Sequence, residues 1–121
     1  MRRAHRDLKV WREAIALVGD VYLLTSTFPR EEVFGLTSQM RGAAISVPSN
    51  IAEGAARTGR KELLHFLSIA SGSLSELDTQ IEIAVQLEYM PDDHPIIGRV
   101  DKVFAMLMAM TKSLRNKNPI T

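Results

Sequence analysis

The sequence of 121 residues contains no cysteine. It therefore cannot form disulfides, thiolate-ligated metal sites or a cysteine nucleophile. No apolar run approaches the roughly 18 residues that a membrane-spanning helix needs. The basic N-terminal stretch lacks the apolar segment of a signal peptide. We therefore expect a cytoplasmic protein that makes no contact with a membrane.

Proline is sparse, and its five positions divide the chain into long uninterrupted segments. Pro29, Pro91, Pro95 and Pro119 fall at predicted ends or turns, whereas Pro48 lies inside a helical pattern. Apolar residues make up 45% of the chain and charged residues 24%, which is ordinary for a globular protein. The length suits a single domain with its own core, and we assign residues 1–121 to one domain.

Apolar residues recur with a helical period in four segments, joined by short connections. The predicted helices cover about 8–28, 33–57, 60–89 and 95–115. This pattern predicts an all-α fold, an up-down-up-down antiparallel four-helix bundle. The first helix carries two apolar stripes, which begin at Leu8 and Val10. One stripe suffices for a bundle core, so the second indicates either a further contact surface or a deeply buried helix. In the third helix, Gly72 predicts a close approach to a neighbour.

Polar side chains surround Pro48 in the second predicted helix. A proline in a helix interior loses a hydrogen bond and costs about 3 kcal/mol, so we expect a Pro-kinked helix. Nearby polar residues recur every three or four positions and share one face. We interpret them as a buried hydrogen-bond network, with a ligand site as the alternative. The predicted structural network comprises Arg41, Ser46, Asn50, Glu53 and Glu76. Glu53→Ala is then expected to lower thermal stability clearly.

The bundle topology brings many basic residues to one end of the molecule. We call this set the basic pole; it comprises Arg2, Arg3, Arg6, Lys9, Arg12, Arg57, Arg60, Lys61, Lys112, Arg115 and Lys117. These eleven cations and four nearby acids give +7, whereas the remaining four cations and ten acids give −6. Such a surface is typical of polyanion binding, and a solvated basic end is the alternative. His5 and Trp11 lie near it and could stack on bases, although Trp11 also fits the core stripe.

Motifs for catalysis are missing. Glu62 and His65 form one Glu-x-x-His pair, whereas di-metal bundles need two such pairs and two further glutamates. The glycines around Arg57 lack the Gly-Lys-Ser/Thr ending of a phosphate-binding loop. We predict a protein that is not an enzyme and that has no cofactor and no metal.

Several motifs resemble the bacterial four-helix-bundle proteins encoded in 23S rRNA intervening sequences. They are Leu8-Lys9-Val10-Trp11, Gln39-Met40-Arg41-Gly42-Ala43-Ala44, Ser46-Val47-Pro48-Ser49-Asn50-Ile51-Ala52-Glu53-Gly54, Arg57 and Ile69-Ala70-Ser71-Gly72-Ser73-Leu74-Ser75-Glu76-Leu77. The resemblance spans about residues 8–115 and implies a left-handed bundle that assembles into a homopentamer. It also extends to the accessory protein of diversity-generating retroelements, which binds a reverse transcriptase and nucleic acid through a basic surface. Gly42 stands where alanine is usual in the family.

Three functional hypotheses follow. The first is a non-enzymatic homo-oligomer, a pentamer, that contacts RNA (ribosomal RNA or another nucleic acid, DNA included) through the basic pole. The second is a protein-binding adaptor such as a reverse-transcriptase accessory subunit. The third is a purely structural oligomer.

Overall fold

The computed structural model describes residues 3–116, and this part of the chain is built from helices without any strand. Its four α-helices are α1 (Lys9–Thr25), α2 (Leu36–Ala55), α3 (Arg60–Gln86) and α4 (Ile96–Asn116). Short 3₁₀ turns precede α1 at Ala4–Asp7 and α2 at Arg30–Glu32. The all-α class and the four-helix bundle are confirmed. The predicted ranges run up to three residues past the observed helices at most ends, because the flanking residues form turns.

Each helix packs against two others, in the cyclic order α1, α2, α3, α4. The α2–α3 pair runs antiparallel, since Ser46 meets Ser73 at 2.7 Å between hydroxyls while Gly54, further along α2, meets Phe66, earlier in α3. Ion pairs of Arg99 with Asp20 and of Lys102 with Glu13 join α4 to α1 in the same opposed sense. Successive helices therefore alternate in direction.

The core is formed by one apolar stripe from each helix. In α1 the buried stripe is Val10, Ala14, Leu17, Val21 and Leu24. The stripe that begins at Leu8 stays at the surface in part: Ile15 is 45% exposed and Tyr22 is 40% exposed. The predicted stripe of α3 is buried from Leu67 to Ala84. Thus α1 is not buried on all sides, and the stripe that begins at Leu8 forms an apolar surface next to α2.

Among the glycines inside the four α-helices, only Gly54 of α2 lies in close contact with a neighbouring helix. A Cβ atom placed there would lie 2.9 Å from the Cβ of Phe66 and 3.1 Å from Cδ1 of Leu63. The prediction of a close approach at Gly72 is wrong, because a Cβ on Gly72 would meet nothing within 4 Å. α2 is helical on both sides of the buried Pro48. The kink at Pro48 remains a prediction.

At the end of the bundle away from the basic pole, Glu32 joins the α1–α2 connection to the α3–α4 connection by hydrogen bonds. Its carboxylate accepts hydrogen bonds from the Leu36 amide at 3.1 Å and from the Tyr89 hydroxyl at 2.8 Å. The Tyr89 ring lies 5.3 Å from that of Phe28. The hydrogen bond from the Leu36 amide and, to a smaller extent, the one from Tyr89 lower the pKa of Glu32. The bond to Glu32 raises the pKa of Tyr89.

Candidate nucleic-acid interface

The alternating directions of the helices gather the described residues of the basic pole at one end of the bundle. The 3₁₀ turn Ala4–Asp7 packs against both α1 and α2, which brings Arg6 next to the bend that follows Ala55. The C-terminal end of α4 faces the first turns of α3, where Leu64 and Lys112 line one groove. Nine of the eleven predicted basic residues lie in the described part of the chain. Arg2 and Lys117 lie outside the described residues.

The N-terminal part of the basic pole is organised around Trp11. The His5 and Trp11 ring centroids are 4.8 Å apart, and the Arg6 guanidinium carbon lies 5.4 Å from the Trp11 ring centroid. Arg12 donates a hydrogen bond to the main-chain oxygen of Asp7 at 3.1 Å. Trp11 is itself half-buried against the core. Its contacts hold the N-terminal turn, and Arg6 in it, against α1.

The bend between α2 and α3 contributes a second group of cations. Arg57 forms an ion pair with Glu53 at 2.6 Å, and its guanidinium lies 5.1 Å from the Phe66 ring centroid. Arg60 and Lys61 are exposed in the first turn of α3. A helix N-terminus carries a partial positive charge, so cations there oppose the macrodipole at a cost of about 0.3–1 kcal/mol each. The helix dipole therefore does not account for a cation at Lys61.

Lys9 and Arg12 occupy the first turn of α1, where the same electrostatic argument applies. Arg57, which follows the C-cap of α2, and Arg115, in the last turn of α4, stand where a helix dipole favours a positive charge, and Lys112 lies one turn before the end of α4. Two acids near the basic pole are neutralised by cations. Glu53 pairs with Arg57, and Glu13 accepts a hydrogen bond from Lys102, which with Arg99 lowers the pKa of Glu13.

A groove between α3 and α4 opens beside the C-terminal part of the basic pole. It has a volume of about 500 Å³. Its lining combines apolar side chains such as Leu64 and Met108 with the hydroxyl-bearing Ser68 and Ser71, and it ends at Lys112, Arg115 and Asn116. Met108 is 69% exposed. In such a groove the cations can contact phosphates, the hydroxyls can contact sugars, and the apolar side chains can contact bases.

Two of the five residues predicted to form a structural network are bonded to each other. The Asn50 amide donates to the main-chain oxygen of Ser46 at 2.8 Å and to its hydroxyl at 3.0 Å. The Ser46 hydroxyl also meets that of Ser73 on α3. The sequence analysis did not include Ser73 in the network. Its position in a segment of small residues on α3 could have indicated a contact with α2. These bonds join α2 to α3 next to Pro48.

The other predicted network residues make separate contacts. Arg41 donates to the Thr25 hydroxyl at 2.9 Å, and its guanidinium carbon lies 4.3 Å from the Tyr22 ring centroid. Arg41 therefore contacts α1, and Glu76 is exposed on α3. Glu53 is bonded to Arg57 at the surface. A long side chain follows whichever acceptor its neighbours present, which periodicity alone does not specify.

Histidine and acidic side chains are dispersed over the described part of the chain. Within residues 3–116, no group of three or more histidine, aspartate or glutamate side chains is placed to hold a metal ion. His65 is exposed and contacts the Phe66 ring at 5.3 Å between centroids. None of the helices between residues 3 and 116 has the length and apolar character needed to cross a membrane.

Comparison with protein families gives a match over residues 6–109 to the family described as 23S rRNA-intervening sequence protein. The chain belongs to this 23S rRNA-intervening sequence protein family. The match covers α1, α2 and α3 and most of α4, so it includes the bend and the first turns that carry much of the basic pole. No curated protein matches the chain significantly.

Proposed function

We propose that this protein is a non-enzymatic, oligomeric helical bundle that contacts RNA through its basic pole. The observation that carries the proposal is the position of the described cations. Four separate segments of the chain contribute them to one end of the bundle, and the exposed Lys9 and Lys61 occupy helix N-termini where they oppose the macrodipole. Exposed cations that helix stability does not favour are expected to serve contact with an anion.

Ribosomal RNA is the proposed target, because the family name refers to the intervening sequences of 23S rRNA. The contacts are proposed to be mainly electrostatic, between exposed lysines and arginines and backbone phosphates. The groove beside Lys112 would receive sugars or unpaired bases. The protein is proposed to act in the cytoplasm.

The experiment is a titration of fluorescently labelled single-stranded RNA at several salt concentrations. Lys9, Lys61 and Lys112 come from three segments and are all exposed. Their combined replacement by alanine is expected to weaken binding at about 50 mM salt. It should also reduce the slope of log affinity against log salt by about 2, because each phosphate that is no longer neutralised lowers that slope by about 0.7.

The control is Arg30→Ala, which removes one exposed cation at the opposite end and should leave both the affinity and the salt slope unchanged. Absence of RNA binding by the unaltered protein at about 50 mM salt would refute the proposal.

Oligomerisation is proposed to use the exposed apolar stripe of α1. Ile15 and Tyr22 lie on this stripe, and Ile45 of α2, one helical turn from Arg41, is 43% exposed beside it. A pentamer is the assembly that the resemblance implies. Sedimentation should give the mass of a multimer, and Ile15→Glu should reduce it. A monomeric mass for the unaltered protein would contradict this part of the proposal.

The protein-binding adaptor, such as a reverse-transcriptase accessory subunit, is the alternative proposal, and a purely structural oligomer is the third. The salt titration separates them from the first, because neither requires affinity for phosphate.

A further inference from the structure

An exposed aromatic side chain stands at the end of the bundle opposite the basic pole. Phe34 is 96% exposed in the turn between Arg30–Glu32 and α2, and the adjacent Val33 is 49% exposed. A single exposed apolar residue is common in soluble proteins. A nearly fully exposed phenylalanine with apolar neighbours is a different case, because aromatic residues supply much of the energy at protein interfaces.

The last turns of α3 also carry exposed apolar side chains. Ile83 is 43% exposed and Leu87 is 49% exposed. The antiparallel register of α2 and α3, fixed by Ser46 and Ser73, brings the beginning of α2 opposite these turns. The hydrogen bond between Tyr89 and Glu32 joins the same two segments. We call Val33, Phe34, Ile83 and Leu87 together the Phe34 patch.

Acidic residues flank the members of the Phe34 patch along the chain. The flanking segments carry Arg30, Glu31, Glu32, Glu82 and Glu88, four acids and one arginine, for a net charge of −3. Glu31, Glu82 and Glu88 are exposed. This charge repels phosphates, so neither nucleic acid nor an anionic lipid surface suits the patch. It attracts lysine and arginine side chains.

We propose that the Phe34 patch binds a basic amphipathic helix of a partner protein. Phe34, with Ile83 and Leu87, would contact the apolar face of that helix, and the surrounding glutamates would pair with lysines or arginines at its edges. The patch lies at the opposite end from the basic pole, so the two surfaces act independently. The protein would join a basic protein segment at one end to nucleic acid at the other.

The test uses a labelled peptide of leucine and lysine with helical amphipathic spacing, about 18 residues or five turns long. Its affinity for the full chain is measured by fluorescence anisotropy. Phe34→Ser should weaken binding at least about tenfold, the loss expected for an interface anchor. The matched control is Leu23→Ser, which removes another exposed apolar residue, on α1 beside the loop of Met90 and Pro91, and should leave peptide affinity unchanged.

Charge complementarity is tested separately with Glu31→Gln and Glu82→Gln together. This double variant should weaken binding of the leucine–lysine peptide and make it less dependent on salt. The control is Asp101→Asn, an exposed acid on α4. A peptide with glutamate in place of lysine should not bind. Phe34→Ser should give the same result as the unaltered protein in the RNA titration.

Three results would overturn the proposal. The first is no binding of the leucine–lysine peptide. The second is equal binding by the unaltered protein and Phe34→Ser, with circular dichroism confirming that the variant is folded. The third is a change in sedimentation mass of Phe34→Ser without a change in peptide affinity, which would assign the patch to contact between copies of this chain.

Discussion

Replacing Gly54 by alanine tests the close contact between α2 and α3. Alanine in place of glycine inside a helix contributes about 1 kcal/mol of intrinsic stability. At Gly54, however, the new Cβ would meet the Cβ of Phe66 at 2.9 Å, and that atom moves only with its backbone. Overpacking of this kind costs about 1–3 kcal/mol. We therefore expect Gly54→Ala to be between neutral and about 2 kcal/mol less stable than the unaltered protein.

Gly72→Ala provides the matched control, because that glycine is also inside a helix and a Cβ there meets nothing within 4 Å. It should stabilise the protein by about 1 kcal/mol. The difference between the two variants isolates the overpacking cost, about 1–3 kcal/mol, or about 4–12 °C in melting temperature at about 4 °C per kcal/mol. Thermal unfolding followed by circular dichroism, at one protein concentration, measures it. Equal shifts for the two variants would refute the described α2–α3 contact.

Three further predictions concern the side-chain bonds of Glu53, Glu32 and Tyr89. Glu53→Ala should change stability by less than about 0.5 kcal/mol, because the Glu53–Arg57 pair is exposed; a clear drop in melting temperature would instead favour the network expected from the sequence. Since the folded-state pKa of Glu32 is lowered, its contribution to stability is present above the ordinary carboxylate pKa and is lost as pH falls through the lowered value. Urea midpoints of Glu32→Gln should therefore decline less toward acid than those of the unaltered protein, and equal declines would contradict this. The pKa of Tyr89 is raised, so its contribution holds below the ordinary tyrosine pKa and is lost as pH rises through the raised value. Tyr89→Phe should remove that alkaline decline, and a decline that persists unchanged would count against the Tyr89–Glu32 bond.

The sequence predicts the helices well because one side of each helix must be apolar. The α3 stripe from Leu67 to Ala84 is buried as its period indicates. In α1 two stripes share that period, and periodicity alone does not tell which faces the core. The structure buries the stripe that contains Val10 and leaves Ile15 and Tyr22 partly exposed.

The two glycines illustrate a signal that was present in the sequence. Gly72 lies two residues after the buried Ala70, about 200° around the helix, and so faces away from the core. Gly54 lies three residues after the buried Ile51, on the core side. The phase within the stripe, more than the local richness in small residues, identifies the glycine that permits close contact.

The candidate site is only partly accessible to sequence reasoning. Topology alone brings the described cations to one end, since alternating directions follow from short connections. The pairing of Arg41 with Thr25 depends on side-chain conformations in three dimensions. The Phe34 patch combines two segments that lie far apart in the chain, one at Phe34 and the other at Ile83, without any shared motif.

The ion pairs between α1 and α4 have a consequence for synthesis of the protein. Glu13 bonds Arg99 and Lys102, which follow it by 86 and 89 residues. While α4 is still inside the ribosome, α1, α2 and α3 lack the helix that covers the remaining side of their apolar core. Its apolar faces stay exposed to water until α4 has left the ribosome, so the nascent chain is most prone to aggregate, or to engage a chaperone, in that interval.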